Sequence, residues 1–157
     1  MSIEPGAASP RDDAIRLLAR REYSRAELVL RLSARSHSAA AIEACLDELN
    51  EQGLQSDARF AESFLRSRVA RGQGPLKVRV ELERRGIDRA QAAATLAAAE
   101  QAGEVDWFEL AAEALSRRFI HPGDSPRERA RRERFLAGRG FDYEQIRYAL
   151  ERLDHAD

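Results

Sequence analysis

The residue types able to do chemistry are thinly scattered along this chain of 157 residues, and the scatter excludes most reactions. A metal centre needs His, Cys, Asp or Glu at short, regular spacings. His37, His121 and His155 stand apart at three separate breaks or ends, with no second ligand at such spacing, and read as ordinary surface histidines. Cys45, the single cysteine, occupies an apolar position of a helical stripe and reads as a small core residue rather than a nucleophile. Gly72-Gln73-Gly74-Pro75 is rich in glycine, but no strand precedes it and no Gly-Lys-Ser or Gly-Lys-Thr ends it, which argues against a phosphate loop. Trp107, Phe108 and Phe119 have helical spacing and read as core, not as a platform for stacking bases. No catalytic residue, cofactor-binding residue or metal ligand is assigned, so the chain reads as a binding protein and not an enzyme.

The arginines carry the remaining chemistry. Arg66, Arg68, Arg71, Lys77, Arg79, Arg84 and Arg85 crowd into one stretch, and Arg127, Arg131 and Arg134 form an i, i+4, i+7 stripe, with Arg117, Arg118, Arg132 and Arg139 nearby. Such groups bind phosphates by releasing counterions, or dock on an acidic protein surface. The bland alternative is a solvated helix face, since Glu81 to Arg85 and Glu128 to Arg132 are i, i+4 pairs that could simply stabilise a helix. Net charge is −1, yet the chain is basic over 11–35, 59–89 and 117–139 and acidic over 37–57, 100–113 and 142–157. Stacked units of this kind could align basic surfaces on one side and acidic surfaces on another.

The elements that must position these charges are helical. Ala, Leu, Arg and Glu are abundant and β-branched residues are few, which predicts an all-α chain. Residues 1–11 read as a flexible tail. A first repeat follows over 12–55, with apolar stripes at Ala14, Ile15, Leu17 and Leu18, at Leu28, Val29 and Leu32, and at Ile42, Cys45, Leu46 and Leu49. Ser24 with Glu27 makes a capping box at the second of these. The second repeat, 56–103, begins at Ser56-Asp57 and contains one ambiguous stretch. Leu76, Val78, Val80 and Leu82 alternate with polar residues like a half-buried strand, but the segment aligns with the helical composition of 130–136 and a lone strand would have no partner. Helix is the reading preferred. The third repeat, 104–157, holds a longer loop at 121–126.

The repeats are visible in the residues. Arg85-Gly86-Ile87-Asp88 returns as Arg139-Gly140-Phe141-Asp142, and Leu82 and Leu96 return as Leu136 and Leu150, each 54 positions later. A weaker copy at a spacing of 50 places Ser36-His37-Ser38 where Gly86-Ile87-Asp88 stands. Such periodicity marks stacked supersecondary units rather than one globular core. In each connector a glycine stops one helix and an aspartate caps the next, so the motif is first of all structural, and only its arginines, Arg85 and Arg139, stay on as contact candidates. One cysteine permits no intramolecular disulfide, no apolar run is long enough for a membrane, and the first ten residues lack the features of a leader, so a cytoplasmic location is expected.

Taken in order, the segment 14–28, Ser56-Asp57-Ala58-Arg59-Phe60-Ala61, Gly72-Gln73-Gly74-Pro75, Glu81-Leu82 and the segment Arg134-Phe135-Leu136-Ala137-Gly138-Arg139-Gly140-Phe141 resemble RecX, the family of bacterial regulators of the RecA recombinase. The likeness covers 12–153 and departs at Ser36-His37, where the family has glycine and an aromatic residue. It implies three tandem three-helix repeats in an elongated, curved body. It also implies binding in the groove of the RecA–DNA filament, hindered filament growth, and so a lowered ATPase, strand exchange and repressor cleavage. The expected partners are the RecA filament and single- or double-stranded DNA, with no membrane and no cofactor, and the chain is expected to be a monomer. The basic face would meet acidic filament surface or phosphate and the acidic helices would meet basic filament loops. Two other readings stay open: a helical protein that binds DNA without RecA, and a general adaptor scaffold.

Overall fold

The computed structural model describes residues 7–155, which contain nine helices and no strand. They are α1 (Pro10–Leu18), α2 (Arg25–Ala34), α3 (Ala39–Glu51), α4 (Asp57–Ala70), α5 (Pro75–Arg84), α6 (Arg89–Gln101), α7 (Trp107–Arg118), α8 (Pro126–Gly138) and α9 (Tyr143–Asp154). Part of the tail, 1–6, lies outside the described residues. Its expected end at residue 11 moves back, because Ser9 and Asp12 form a capping box and Pro10 fills the first turn, where a missing N–H costs nothing. Among the described residues, no helix is long and apolar enough to cross a membrane.

Local chemistry explains where the helices start. Ser24, Ser38, Asp88, Asp106, Ser125 and Asp142 each accept a hydrogen bond from a backbone N–H in the first turn that follows. The ambiguous stretch 76–82 is the helix α5. Val78 and Leu82, four apart, are buried on one face, whereas Leu76 and Val80 are 42% and 41% exposed. Alternation therefore placed half of the apolar residues on the wet side, as a 3.6-residue period requires. Val29 and Ile15, expected on apolar stripes, are likewise only partly covered, at 38% and 40% exposed.

The chain packs as two compact units: one runs to Ser63 and includes Arg85–Ile87, the other holds Phe64–Arg84 and Asp88 onward. In the first, Ala14, Tyr23, Leu28, Leu32, Ile42, Leu46 and Leu49 form the core between α1, α2 and α3. In the second, Ala111, Leu115, Leu136, Phe141, Ile146, Ala149, Leu150 and Leu153 do the same for α7, α8 and α9.

The repeated connector does more than stop a helix. In the second unit, Gly140 takes φ +96°, and a Cβ built there would lie 2.3 Å from Lys77 Cβ and 2.7 Å from Lys77 N. The Gly74 N–H donates to the Arg139 carbonyl at 2.7 Å and the Leu76 N–H to the Gly140 carbonyl at 3.0 Å. The connector thus supplies acceptors to free donors at the start of α5. The first unit repeats this arrangement. Gly86, at φ +92°, abuts Ala26 in the first turn of α2, and Ser24 Oγ donates to the Arg85 carbonyl at 2.6 Å. Glycine is required at both places for close approach as well as for its backbone angle.

At this first contact the Arg85 guanidinium donates to Glu27 at 2.8 Å and Arg21 lies at 3.3 Å. Burial would raise the Glu27 carboxyl, but hydrogen bonds from Arg21, the Ser24 N–H and Arg85, with the charge of Arg21, more than offset it and hold it below its ordinary range. A carboxyl lowered on folding stabilises fully above its unfolded pKa and loses that contribution as pH falls through the folded value. Glu27→Gln is therefore expected to cost about 1–2 kcal/mol near neutral pH and less in acid. Urea unfolding at neutral pH and at about pH 3 checks this; an equal loss at both would contradict it.

The weakest copy of the connector keeps the backbone and changes the chemistry. Ser36 adopts φ +67°, the only positive φ outside glycine among the described residues. His37, in the place of Ile87 and Phe141, is not an ordinary surface histidine. Its Nε2 lies 2.7 Å from Oδ2 of Asp13, which is itself buried, so a polar pair ties the connector to α1 where the other copies use an apolar plug.

Candidate basic interface

The predicted cations fall into three environments. Some are committed to the fold. Arg68 pairs with Glu81 at 3.4 Å and lies over the Phe64 ring, Arg85 pairs with Glu27, and Lys77 is half-buried against Gly140. Glu81 and Arg85 are thus each engaged by a partner distant in sequence. Arg66 and Arg84 are exposed on α4 and α5, and Arg79 is half-buried.

Arg132 leaves the candidate surface altogether. It is 7% exposed, donating from Nε to the His121 carbonyl at 2.7 Å and from Nη1 to the Glu128 carbonyl at 2.9 Å, with its guanidinium 4.4 Å from the Phe119 ring. It holds the 121–126 loop onto α8. The Glu128 carboxylate instead accepts from the Asp124 N–H and Arg132 donates to the His121 carbonyl, so the expected pair between the Glu128 and Arg132 side chains is replaced by two loop contacts.

Arg127, Arg131 and Arg134 remain exposed along α8, and no carboxylate pairs with them among the described residues. Arg71, Arg117, Arg118 and Arg139 come together. With Gly72, Ala114 and Phe135 they line a cleft of about 260 Å³ where the ends of α4, α7 and α8 meet. Arg139 is fixed there, donating to the Arg71 carbonyl at 3.0 Å and lying 5.2 Å from the Phe135 ring. Phe119, read as core, is half-buried and meets Phe135 edge to face at 5.6 Å, with Arg118 at 5.2 Å from its ring.

The two phenylalanines are the functional candidates that sequence reasoning missed. The signal was present: Arg118 adjoins Phe119, and Phe135 precedes Arg139 by four positions on one helix face. Trp107 is core as read, whereas Phe108 is 36% exposed and meets Tyr148 edge to face. Cys45 packs against the first core, and burial, partly countered by Arg11, pushes its thiol up, away from the reactive thiolate.

Comparison with known proteins identifies the family and the fold. Family models described as the first, second and third three-helix domains of RecX match residues 11–49, 56–96 and 104–150. "Regulatory protein RecX" of Chromohalobacter salexigens is 59% identical over 144 residues, 91% of either chain. The protein of the same name from Halorhodospira halophila is 43% identical, covering 98% of this chain and 95% of its own. The crystal structure of RecX from Lactobacillus salivarius superposes with a TM-score of 0.75 at 24% identity, covering 92% of this chain and 94% of that one, a likeness of fold. The domain matches follow the three sets of helices in order, and the chain belongs to the RecX family of regulatory proteins, with their all-α fold of tandem three-helix repeats.

Proposed function

We propose that this chain regulates the RecA recombinase by binding the RecA–DNA filament and hindering its extension. Membership of the RecX family supports a regulator, and the relatives bear the name "Regulatory protein RecX". The observation that carries the contact surface is the α8 stripe. Arg127, Arg131 and Arg134 point to solvent along one helix without a carboxylate partner among the described residues, so no internal pairing competes with a partner. All three residues are exposed, so charge can be reversed there without opening the core.

The test is RecA ATPase on single-stranded DNA. Inhibition by substoichiometric protein supports action on the filament; inhibition only at stoichiometric protein, relieved by excess DNA, supports competition for DNA; no effect supports a scaffold unrelated to RecA. Reversing Arg127, Arg131 and Arg134 to Glu is expected to weaken inhibition about tenfold or more, with the helical circular dichroism unchanged. Full inhibition by that variant would remove α8 from the contact surface.

A further inference from the structure

We propose that the cleft at the ends of α4, α7 and α8 is a phosphate-binding site, through which the chain grips the backbone of a nucleic-acid strand. The inference deepens the filament reading above and rests on it, naming the strand within the filament, rather than protein alone, as something the chain touches.

Four guanidiniums, from Arg71, Arg117, Arg118 and Arg139, line one cleft, and no carboxylate lines it or pairs with any of the four among the described residues. Like charges gathered without a counterion repel one another, and an anion entering the cleft removes that repulsion. The arrangement is also built. Arg139 is held by the Arg71 carbonyl and lies over Phe135, Arg118 lies over Phe119, and the two rings brace each other edge to face. Guanidiniums held before a ligand arrives lose less freedom on binding it.

The geometry favours phosphate over an acidic side chain. A carboxylate carries its acceptor sites on two oxygens in one plane, and a single guanidinium fork already covers one whole edge of it. Here the cations approach from the ends of three helices, and a phosphate, whose oxygens spread in three dimensions, can meet several of them at once. A strand then offers further phosphates to arginines beyond the cleft. Its grip on bare strand should be strongly dependent on salt, as for any contact driven by counterion release.

The test measures binding of the full chain to a fluorescein-labelled oligothymidylate by anisotropy at several salt concentrations, without recombinase. Arg117 and Arg118 are exposed and their guanidiniums make no hydrogen bond among the described residues, so Arg117→Ala with Arg118→Ala should keep the native circular dichroism. That double variant is expected to bind about tenfold more weakly and to lower the salt slope by about one. Arg89→Ala with Arg147→Ala removes the same charge from exposed positions outside the cleft and should lose much less. Equal losses from the two pairs would overturn the cleft in favour of diffuse charge, as would a wild type that binds no oligothymidylate at low salt. Displacement by polyglutamate as readily as by unlabelled oligothymidylate of equal charge would overturn phosphate in favour of an acidic protein segment. RecA ATPase measured alongside separates the two claims. A wild type without effect on RecA sinks the regulator, whereas inhibition by a wild type whose strand binding ignores Arg117 and Arg118 sinks the cleft alone.

Discussion

Gly140→Ala is expected to destabilise the fold by about 3–5 kcal/mol, far beyond an ordinary glycine substitution. Two costs add. At φ +96° any Cβ is strained, which alone costs about 1–2 kcal/mol. The added carbon also lands 2.3 Å from Lys77 Cβ and 2.7 Å from its backbone nitrogen, a clash that a side-chain rotation cannot relieve. Moving the connector away breaks the bonds from the Gly74 and Leu76 N–H groups to the Arg139 and Gly140 carbonyls. Gly103 separates the two costs: it has φ +73° with nothing within 4 Å of its Cβ, so Gly103→Ala should cost about 1 kcal/mol. Gly138→Ala, at the end of helix α8 and facing open space, should instead stabilise by up to about 1 kcal/mol. Urea unfolding followed by circular dichroism ranks the three. A Gly140→Ala cost no greater than that of Gly103→Ala would show that the connector can shift freely and that its docking on α5 is unimportant.

Arg132→Ala is expected to cost about 2–4 kcal/mol, and to do so by freeing the loop before α8 rather than by removing a partner contact. The substitution leaves the His121 carbonyl without its charged donor and uncovers Phe119. Lysine should not rescue it, because one ammonium cannot make the Nε and Nη1 bonds of the guanidinium together while lying against the ring. Neighbouring Arg131, exposed on the same helix, should lose less than about 0.5 kcal/mol on replacement by alanine. Amide exchange across 119–125 gives the second readout. If Arg132→Ala left both stability and exchange unchanged, the residue would belong back among the surface cations.

These cases show how unevenly the molecule can be read from its residues. The capping box of Ser24 and Glu27 and the aspartates at 88, 106 and 142 act on N–H groups within three positions, so their effect was visible in the chain itself. The alternation at 76–82 was misleading by itself and yielded only when compared with the other repeat. The arginines of the cleft were all recognised as candidates, but as members of separate basic blocks, because nothing in the spacing of Arg71, Arg117 and Arg139 says that they share a surface. Arg132 and Arg131 are neighbours of the same type. One is buried and one exposed because a loop residue eleven positions upstream folds back over the first.

The sequence alone determined the all-α architecture, the three repeats and the resemblance to RecX, because helix caps, apolar periodicity and repeat spacing are set by residues a few positions apart or by direct comparison of like segments. The tertiary structure decided which glycines are irreplaceable, that His37 pairs with Asp13, that Arg132 is buried, and that four arginines line one cleft together with Phe135. Each of those depends on which helices and loops meet in space, and pairing between residues 11 to 68 positions apart leaves no periodic trace in the chain.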